Sequence, residues 1–281
     1  MAEISPRFFT TSLLPVYEWL VLKGGRWRKI KLRVRVGYFH HPALGHSLID
    51  TGYFNNDTLR GIVTSPFLSI YRALLRPSTL GHDPLSCSLA LLRITRQEVQ
   101  TLLISHFHAD HIGRLRDFPN ARIICSRRAW ETYRLRSSFK NALSGVFGVL
   151  LPEDIETRLS FFEDAPMVEA PYELGRSYNL LNDGSLLVVD LPGHAEGHVG
   201  FCFPQLPKPF LYATDSQWLT QAIVEDRMPR FAASLVACDR EMLRLSTEKV
   251  AIFVRRGGDV LLCHDINSHR YDLDAEGEAQ T

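Results

Sequence analysis

An alternation of apolar and basic residues is the clearest pattern near the start of the chain. From Ile30 to Val36 every second residue is apolar, and every residue between them is lysine or arginine. A period of two places alternate side chains on opposite faces of an extended strand. The pattern predicts a half-buried strand over 27–36 with its basic face in water, where the charges also discourage edge pairing. Phosphate binding by the basic run is the less favoured alternative.

Short apolar runs alternate with segments of helical periodicity over the rest of the chain, which indicates an α/β fold. The predicted strands are 47–50, 99–104, 121–125, 186–189, 210–213 and 260–263. Helices are predicted at 126–137, 152–162 and 242–254, with weaker helical spacing over 58–75 that Pro66 interrupts. No linker divides the chain, so one domain is expected over 1–271, followed by a disordered polar tail over 272–281.

Composition excludes several classes of function. The 281 residues are 45% hydrophobic and 22% charged, which is ordinary for a globular domain, and the formal charge of +1 does not favour a nucleic-acid partner. No apolar run approaches the ~20 residues of a membrane span, and polar residues stand where a signal peptide would be apolar. A cytoplasmic protein with reduced cysteines, a small-molecule partner and no membrane contact is expected.

The strongest chemical signal is a histidine cluster that follows the predicted strand 99–104. It reads His106-Phe107-His108-Ala109-Asp110-His111. Composition alone would produce the His-x-His-x-Asp-His spacing in about one shuffled sequence per thousand. His106 and His108 point to the same side if the chain stays extended, while Asp110 and His111 follow one turn later, within reach of an adjacent ion. The cluster predicts a metal site of imidazole and carboxylate ligands.

Three further ligand-type residues each follow one of the last three predicted strands, namely His194, Asp215 and His264. A lone histidine after a strand is usually an ordinary hydrogen-bonded side chain. The cluster over 106–111 changes this expectation, because two incomplete coordination spheres need partners, and rigid strand ends hold ligands in place. Imidazole and carboxylate ligands suit zinc, with iron or manganese as alternatives, and the lack of cysteine argues against a structural zinc site. We expect two zinc ions per chain.

Two polar residues are expected to support the ligands without binding metal. His198 lies four residues after His194 and is predicted to hydrogen-bond a ligand from behind. Asp50 ends the predicted strand 47–50, just before a Thr-Gly turn. Its carboxylate either orients a ligating histidine or only caps that turn.

Together these motifs resemble the metallo-β-lactamase fold superfamily over about residues 30–270. The resemblance rests on the run 106–111, on Pro192-Gly193-His194-x-x-Gly197-His198, on Asp215, on His264-Asp265 and on Leu48-Ile49-Asp50-Thr51-Gly52. It implies a four-layer αβ/βα sandwich with a dimetal site at one edge of two packed sheets. It also implies the ligand sets: His106, His108 and His194 for one ion, Asp110, His111 and His264 for the other, and Asp215 as the bridge.

Within that superfamily the spacing is most similar to the N-acyl homoserine lactonase-like branch. The branch usually has Thr-Pro where this chain has Ala195-Glu196, and its lactonases carry a tyrosine where this chain has Trp218. An indole donates one N–H but cannot act as an acid. We therefore expect Trp218 to bind substrate mainly as an apolar wall, in a groove with further apolar residues: Phe67, Ile70, Tyr71, Leu74, Phe147 and Leu150.

A two-metal site of this kind predicts carbonyl ester hydrolysis. A hydroxide bridging the ions would attack the carbonyl carbon, because bound metal lowers the pKa of water from 15.7 toward ~7. Asp110 is the candidate to protonate the departing group. The expected substrate is an acyl ester or lactone such as an N-acyl homoserine lactone, and a homodimer is left open. Two alternatives remain: a thioester hydrolase similar to glyoxalase II, and a metal-containing ligand-binding or regulatory protein with slow turnover.

Overall fold

Two β-sheets packed face to face form the centre of the protein, in a computed structural model that describes residues 4–54, 66–228 and 237–273. The first sheet has the order β4-β1-β2-β3-β5-β6-β7. Its strands are β1 (Arg7–Tyr17), β2 (Lys29–His41), β3 (Gly45–Ile49), β4 (Ser78–Thr79), β5 (Val99–Ile104), β6 (Arg122–Cys125) and β7 (Leu159–Phe161). From β3 to β7 the neighbouring strands are parallel, so their carboxyl ends share one edge.

The second sheet has the order β13-β12-β11-β10-β9-β8. Its strands are β8 (Met167–Ala170), β9 (Gly175–Asn179), β10 (Leu187–Asp190), β11 (Val199–Phe203), β12 (Phe210–Tyr212) and β13 (Asp259–Leu261). Strand β11 is antiparallel to both β10 and β12, and β12 is parallel to β13. Strands β10, β12 and β13 therefore run in the same direction and end at the same edge.

Nine α-helices lie in the described part of the chain. They are α1 (Glu18–Val21), α2 (Pro66–Leu75), α3 (Pro84–Leu91), α4 (Ala109–Ile112), α5 (Arg127–Leu135), α6 (Ser138–Leu143), α7 (Ile155–Arg158), α8 (Thr220–Val224) and α9 (Arg240–Arg255). Short 3-10 helices span Arg96–Glu98, Leu115–Asp117, Gly148–Leu150 and Phe162–Asp164. Helix α9 is capped by the Asp239 side chain, which accepts from Met242 N at 3.0 Å. Among the described residues, no helix is both long enough and apolar enough to cross a bilayer.

Separate apolar cores show how the elements stack into four layers. Leu103 of the first sheet and Phe201 of the second lie in the core between the two sheets. Leu102 points the opposite way, into the core between the first sheet and the helices that cover it. On the far side of the second sheet, Val189 packs in one core with Phe253 of α9. The order helix, sheet, sheet, helix agrees with the predicted αβ/βα sandwich, because each sheet is buried on both faces.

The predicted strands are all present. Six of the seven have both ends within two residues of the expected position, whereas the strand predicted over 27–36 is β2 and continues to His41. The predicted helices 126–137 and 242–254 correspond to α5 and α9, whereas residues 58–65 of the weaker helical segment lie outside the described residues. The helix over 152–162 was wrong. Only α7 is helical there, and the chain then enters β7, where Leu159 pairs with Ile123 of β6. Pairing with a neighbouring strand overrides the local helical spacing.

The basic face of β2 is the second correction. Lys31 is exposed as predicted, but the side chain of Arg35 is 0% exposed. Its guanidinium pairs with the carboxylate of Asp272, which the sequence had placed in a disordered tail. Leu273 is also ordered, since its N–H donates to Phe8 O at 2.7 Å. Residues 274–281 of the predicted tail lie outside the described residues.

Candidate metal centre

All seven predicted ligands converge where strands of the two sheets end. The histidine cluster follows β5 of the first sheet, and the other ligands follow β10, β12 and β13 of the second. The two edges are joined at this point, because Val199 N donates to Ser105 O at 3.1 Å. Each of the seven side chains is buried: His106, His108, Asp110, His111, His194, Asp215 and His264.

Three histidines form the first half of the centre. His108 Nδ1 lies 3.0 Å from His106 Nε2 and 3.0 Å from His194 Nε2. Ligand atoms around a tetrahedral zinc, at 2.0–2.1 Å from the ion, are about 3.3 Å apart. The three ring nitrogens therefore have the spacing that one ion requires.

The second half contains Asp215, His111 and His264. Asp215 Oδ2 lies 3.3 Å from His111 Nε2, 3.1 Å from His264 Nε2 and also 3.3 Å from His194 Nε2 of the first half. This carboxylate therefore stands between the two sets of imidazoles. Asp110 Oδ2 is close to the second set only, at 3.4 Å from His264 Nε2 and 3.7 Å from His111 Nε2.

Two polar atoms at the centre lack the hydrogen bonds that buried groups need. His111 Nε2 and Asp215 Oδ1 are inaccessible to solvent and have no hydrogen-bond partner among the described residues. Leaving such a group unsatisfied costs about 1–3 kcal/mol. A divalent cation in contact with both atoms would remove this cost, so the donor set fits metal binding. The structure contains no ion, and the fit rests on these side chains.

Asp50 orients the histidine cluster from behind. Its Oδ2 lies 2.8 Å from His111 Nδ1 and accepts from Ser105 Oγ at 2.8 Å, while its Oδ1 accepts from Ser105 N at 2.8 Å. Ser105 Oγ in turn lies 3.0 Å from His106 Nδ1. Asp50 has a φ of 62°, a left-handed conformation that directs its carboxylate under the cluster. Of the two expectations for Asp50, the structure favours orientation of a histidine.

His198 and Arg33 occupy similar outer positions. His198 does not face the other ring nitrogens: its Nδ1 is 2.6 Å from Leu191 O and its Nε2 accepts from Asp215 N at 3.2 Å. The carbonyl of Arg33 lies 2.7 Å from His264 Nδ1. These contacts fix the ring orientations, so that the remaining nitrogen of His264 points into the centre.

The two halves differ in charge. Burial lowers the pKa of His106 and His194 well below the usual value, and that of His108 to about 4, so these rings are neutral near pH 7. Burial also opposes charge on His111, but the carboxylates of Asp215, Asp110 and Asp50 raise its pKa well above the usual range. The first half therefore presents free lone pairs, as metal ligation requires.

Cys263 was missed by the sequence analysis, which excluded cysteine from the site. Its Sγ lies within 4.8 Å of ligand atoms of His111, Asp215 and His264. The signal was its position at the end of the predicted strand, directly before His264. Burial raises the pKa of the Cys263 thiol to about 12, and this thiol donates to Arg35 O at 3.7 Å. It is therefore a neutral neighbour of the second half.

The predicted groove is only partly assembled. Phe147 and Leu150 are buried in the core, whereas Ile70 and Leu74 are 57% and 77% exposed. Trp218 lies at the centre, with its ring centroid 6.5 Å from that of His264. It lines a mainly apolar cavity of about 430 Å³ that opens onto ligands of both halves, with walls from His194, Asp215, Trp218, Met228 and Leu243.

A sequence profile described as the metallo-beta-lactamase superfamily matches residues 36–254, and this span contains six of the seven predicted ligands. The chain belongs to the metallo-beta-lactamase superfamily. The seventh predicted ligand, His264, lies beyond the matched span and is placed in the centre by β13. Divalent-metal binding is typical of this fold, and the chain is a metal-dependent hydrolase of the superfamily.

Curated relatives and solved structures agree with this membership. N-acyl homoserine lactonase AttM of Azorhizobium caulinodans is 28% identical over 236 residues, which cover 80% of this chain and 79% of the relative. AttM of Agrobacterium fabrum is 30% identical over 226 residues, covering 74% and 73%. A crystal structure of a B. thuringiensis AiiA mutant with N-decanoyl-L-homoserine bound at the active site has a TM-score of 0.67 at 17% identity, covering 100% and 97%. The dizinc quorum-quenching lactonase AidC has a TM-score of 0.65 at 15% identity, covering 95% and 89%.

Proposed function

We propose that this protein is a dinuclear zinc hydrolase that opens N-acyl homoserine lactones or closely related acyl lactones. The observation that carries the proposal is the position of Asp215, whose carboxylate faces two separate sets of buried imidazoles. Seven buried oxygen and nitrogen ligands are too many for one zinc ion, which takes four. The similarity to proteins named lactonases supports the choice of substrate class.

The ligands divide between two ions according to their contacts. His106, His108 and His194 would hold the first ion, because their facing nitrogens lie at ligand–ligand spacing. Asp110, His111 and His264 would hold the second. Asp215 would bridge the two, since its Oδ2 is close to both sets and its Oδ1 has no hydrogen-bond partner in the described ranges.

When bound, the two ions would supply Lewis-acid chemistry, which activates water near neutral pH and polarises a carbonyl group. The protein supplies position and proton transfer. Asp110 lies beside only one set of imidazoles. Its carboxylate could accept the proton that the attacking water gives up and then pass this proton to the departing alkoxide oxygen. Asp50 and His198 hold the rings and the backbone of Asp215 in place during the reaction.

The cavity beside Trp218 accounts for the acyl part of the proposed substrate. Its volume of about 430 Å³ is within the usual range of small-molecule pockets. Met228 and Leu243 provide apolar wall, and His194 and Asp215 form the end at the metal centre. An acyl lactone with its ring carbonyl at the centre can therefore extend its tail along the indole.

A substrate panel tests the proposal. The zinc-loaded protein should hydrolyse N-hexanoyl and N-decanoyl homoserine lactone with a higher kcat/KM than open-chain esters and thioesters of the same acyl groups. Asp215→Ala is the control for contaminating activity, because the variant lacks the bridging ligand. Lactone hydrolysis no faster than that of the control, or a preference for thioesters, would overturn the proposed substrate class.

A further inference from the structure

The phenol of Tyr71 is the feature of helix α2 that the proposed mechanism does not use. Leu68 and Tyr71 are three residues apart and lie on the same face of α2, and the burial of Leu68 shows that this face packs inward. The Tyr71 ring packs edge-to-face on Phe147, with the ring centroids 5.2 Å apart. Ile70 and Leu74 of the same helix are instead 57% and 77% exposed. Packing therefore fixes the direction in which the Tyr71 ring points.

Gly145 shows that the Tyr71 hydroxyl borders the metal centre. The carbonyl of Gly145 accepts from Ala109 N at 3.1 Å, which holds this loop against the histidine cluster. A methyl group on Gly145 would lie 3.5 Å from His108 Cδ2 and 3.7 Å from Tyr71 Oη. Gly145 has no such group, and its φ of 73° disfavours any residue that would carry one. The space between His108 and the Tyr71 hydroxyl is therefore open.

The Tyr71 hydroxyl is free to bind a ligand. In the part of the chain that the structure describes, no side chain or backbone group is hydrogen-bonded to it. Burial, and then the charges of Asp110, Tyr53 and Asp215, raise the pKa of Tyr71 well above its ordinary value. The phenol therefore keeps its proton at neutral pH and acts as a donor.

Tyr53 provides an internal comparison. Its phenol is also near Asp110, which together with burial raises its pKa. Its hydroxyl also has no hydrogen-bond partner among the described residues, but it is sealed from solvent. Its ring is stacked on Phe54, with the centroids 4.4 Å apart. Tyr71 is only partly buried, whereas Tyr53 is 2% exposed, so a substrate at the centre could reach the hydroxyl of Tyr71 but not that of Tyr53.

We propose that the Tyr71 hydroxyl binds the substrate by donating a hydrogen bond to its carbonyl oxygen beside His108, and so orients the ester for hydrolysis. Trp218 borders His264, at the other half of the centre, and forms the apolar wall. The substrate is then held from two sides, by a hydroxyl donor from α2 and by the indole after β12. This inference rests on the proposed function for the identity of the substrate.

Tyr71→Phe tests the inference, because it removes one oxygen and keeps the ring that packs on Phe147. We expect kcat/KM for N-decanoyl homoserine lactone to fall about 100- to 1,000-fold, as for a single donor to a reacting carbonyl. Binding of the ring-opened product, N-decanoyl-homoserine, measured by calorimetry, should weaken about 3- to 10-fold, as for loss of one neutral hydrogen bond. Zinc content and Tm should not change. Tyr53→Phe is the matched control and should stay within about twofold of the wild type in both measurements.

Equal losses in Tyr71→Phe and Tyr53→Phe would overturn the inference, because packing rather than donation would explain them. A Tyr71→Phe variant equal to the wild type in both measurements would overturn it as well. Failure of the proposed function is distinguishable from these results. If the wild type hydrolyses no lactone but its binding of the product still depends on Tyr71, the proposed function is overturned. The hydroxyl is then supported as a binding group. A wild type that neither hydrolyses nor binds overturns both.

Discussion

Arg35 and Asp272 form a two-point ion pair in the interior of the protein. Arg35 Nε lies 2.9 Å from Asp272 Oδ1, and Arg35 Nη2 lies 2.9 Å from Asp272 Oδ2. The two side chains are 0% and 1% exposed. The same guanidinium donates to Asp265 O and Asn267 O, both at 2.7 Å. Because both carbonyls lie within three residues after His264, the pair helps to set the path of the loop that carries a predicted ligand.

Removal of the carboxylate should therefore destabilise the protein strongly. Asp272→Ala leaves the Arg35 guanidinium buried without a counter-charge, and breaking such a pair costs about 3–5 kcal/mol. Urea unfolding followed by circular dichroism measures the free energy of unfolding. The control is Asp164→Ala, which removes the exposed partner of Arg127 and should have little effect. Equal free energies of unfolding for the two variants would show that the buried ion pair does not stabilise the fold more than an exposed one.

Substitutions at the centre should separate ligands from the residues that support them. His194→Ala and Asp215→Ala should abolish activity, the first by opening one coordination sphere and the second by removing the bridge. His198→Ala should reduce activity only about 10- to 100-fold, because His198 contacts Asp215 through the backbone N–H. Steady-state kinetics and zinc content of the three variants provide the check. A greater loss in His198→Ala than in His194→Ala would contradict the ligand assignment.

Metal content gives an independent measure of the centre. Elemental analysis of the fully loaded protein should return two equivalents of metal, and a chelator should remove activity that added zinc restores. Asp110→Asn weakens only the second set of ligands and should lower the content toward one equivalent. A wild-type content of one that does not respond to added metal would rule out the dinuclear centre.

Trp218 should determine the preference for acyl chain length. Trp218→Ala removes apolar contact area worth about 1–3 kcal/mol, so KM should rise far more for long-chain than for short-chain lactones, with little change in kcat. Trp218→Tyr keeps an aromatic wall and adds a hydroxyl. It should retain most of the discrimination and gain activity on homoserine lactones. An equal loss of activity at every chain length, confined to kcat, would show that the indole does not act as an apolar wall for the acyl chain.

The C-terminal loop should also contribute to stability in a pH-dependent way. Burial opposes charge on Asp259, but hydrogen bonds from His269 and Arg270 lower its pKa to about 2. A lowered pKa stabilises the folded state above the unfolded value near 4 and loses this effect as pH falls toward 2. Asp259→Asn should therefore be less stable than the wild type at pH 6, and the difference should shrink below pH 4. A difference that does not depend on pH would exclude the carboxylate charge as its cause.

The sequence predicted the fold, and the convergence of the seven candidate ligands, because both depend on local patterns. Apolar runs of four to six residues indicated buried strands, and ligand-type residues stood directly after them. His194, Asp215 and His264 come from different strands of the second sheet. Their convergence follows once β10, β12 and β13 run in the same direction. Rigid strand ends then bring distant positions together.

The remaining errors concern contacts that no local pattern encodes. The alternation in β2 predicted a solvated Arg35, but Asp272, 237 residues away, buries it. Cys263 looked like an ordinary core residue, and its neighbourhood with His111 depends on how the two sheets meet. The predicted substrate groove was only partly correct for a related reason. Helical spacing alone does not show which face of α2 packs inward. Such features depend on tertiary packing and become visible only in the folded structure.

The centre is built from both sheets, and this has a thermodynamic consequence for the bound ions. His108 and His194 are 86 residues apart in the chain, and Asp215 and His264 are 49 apart, yet one ion would touch each pair. A bound ion therefore acts as a cross-link that closes long loops, as a disulfide does, in a chain whose described cysteines are all free. Metal removal should loosen the junction of the sheets even where every hydrogen bond within each sheet persists. Zinc supply would then limit the lifetime of the folded chain as well as its turnover.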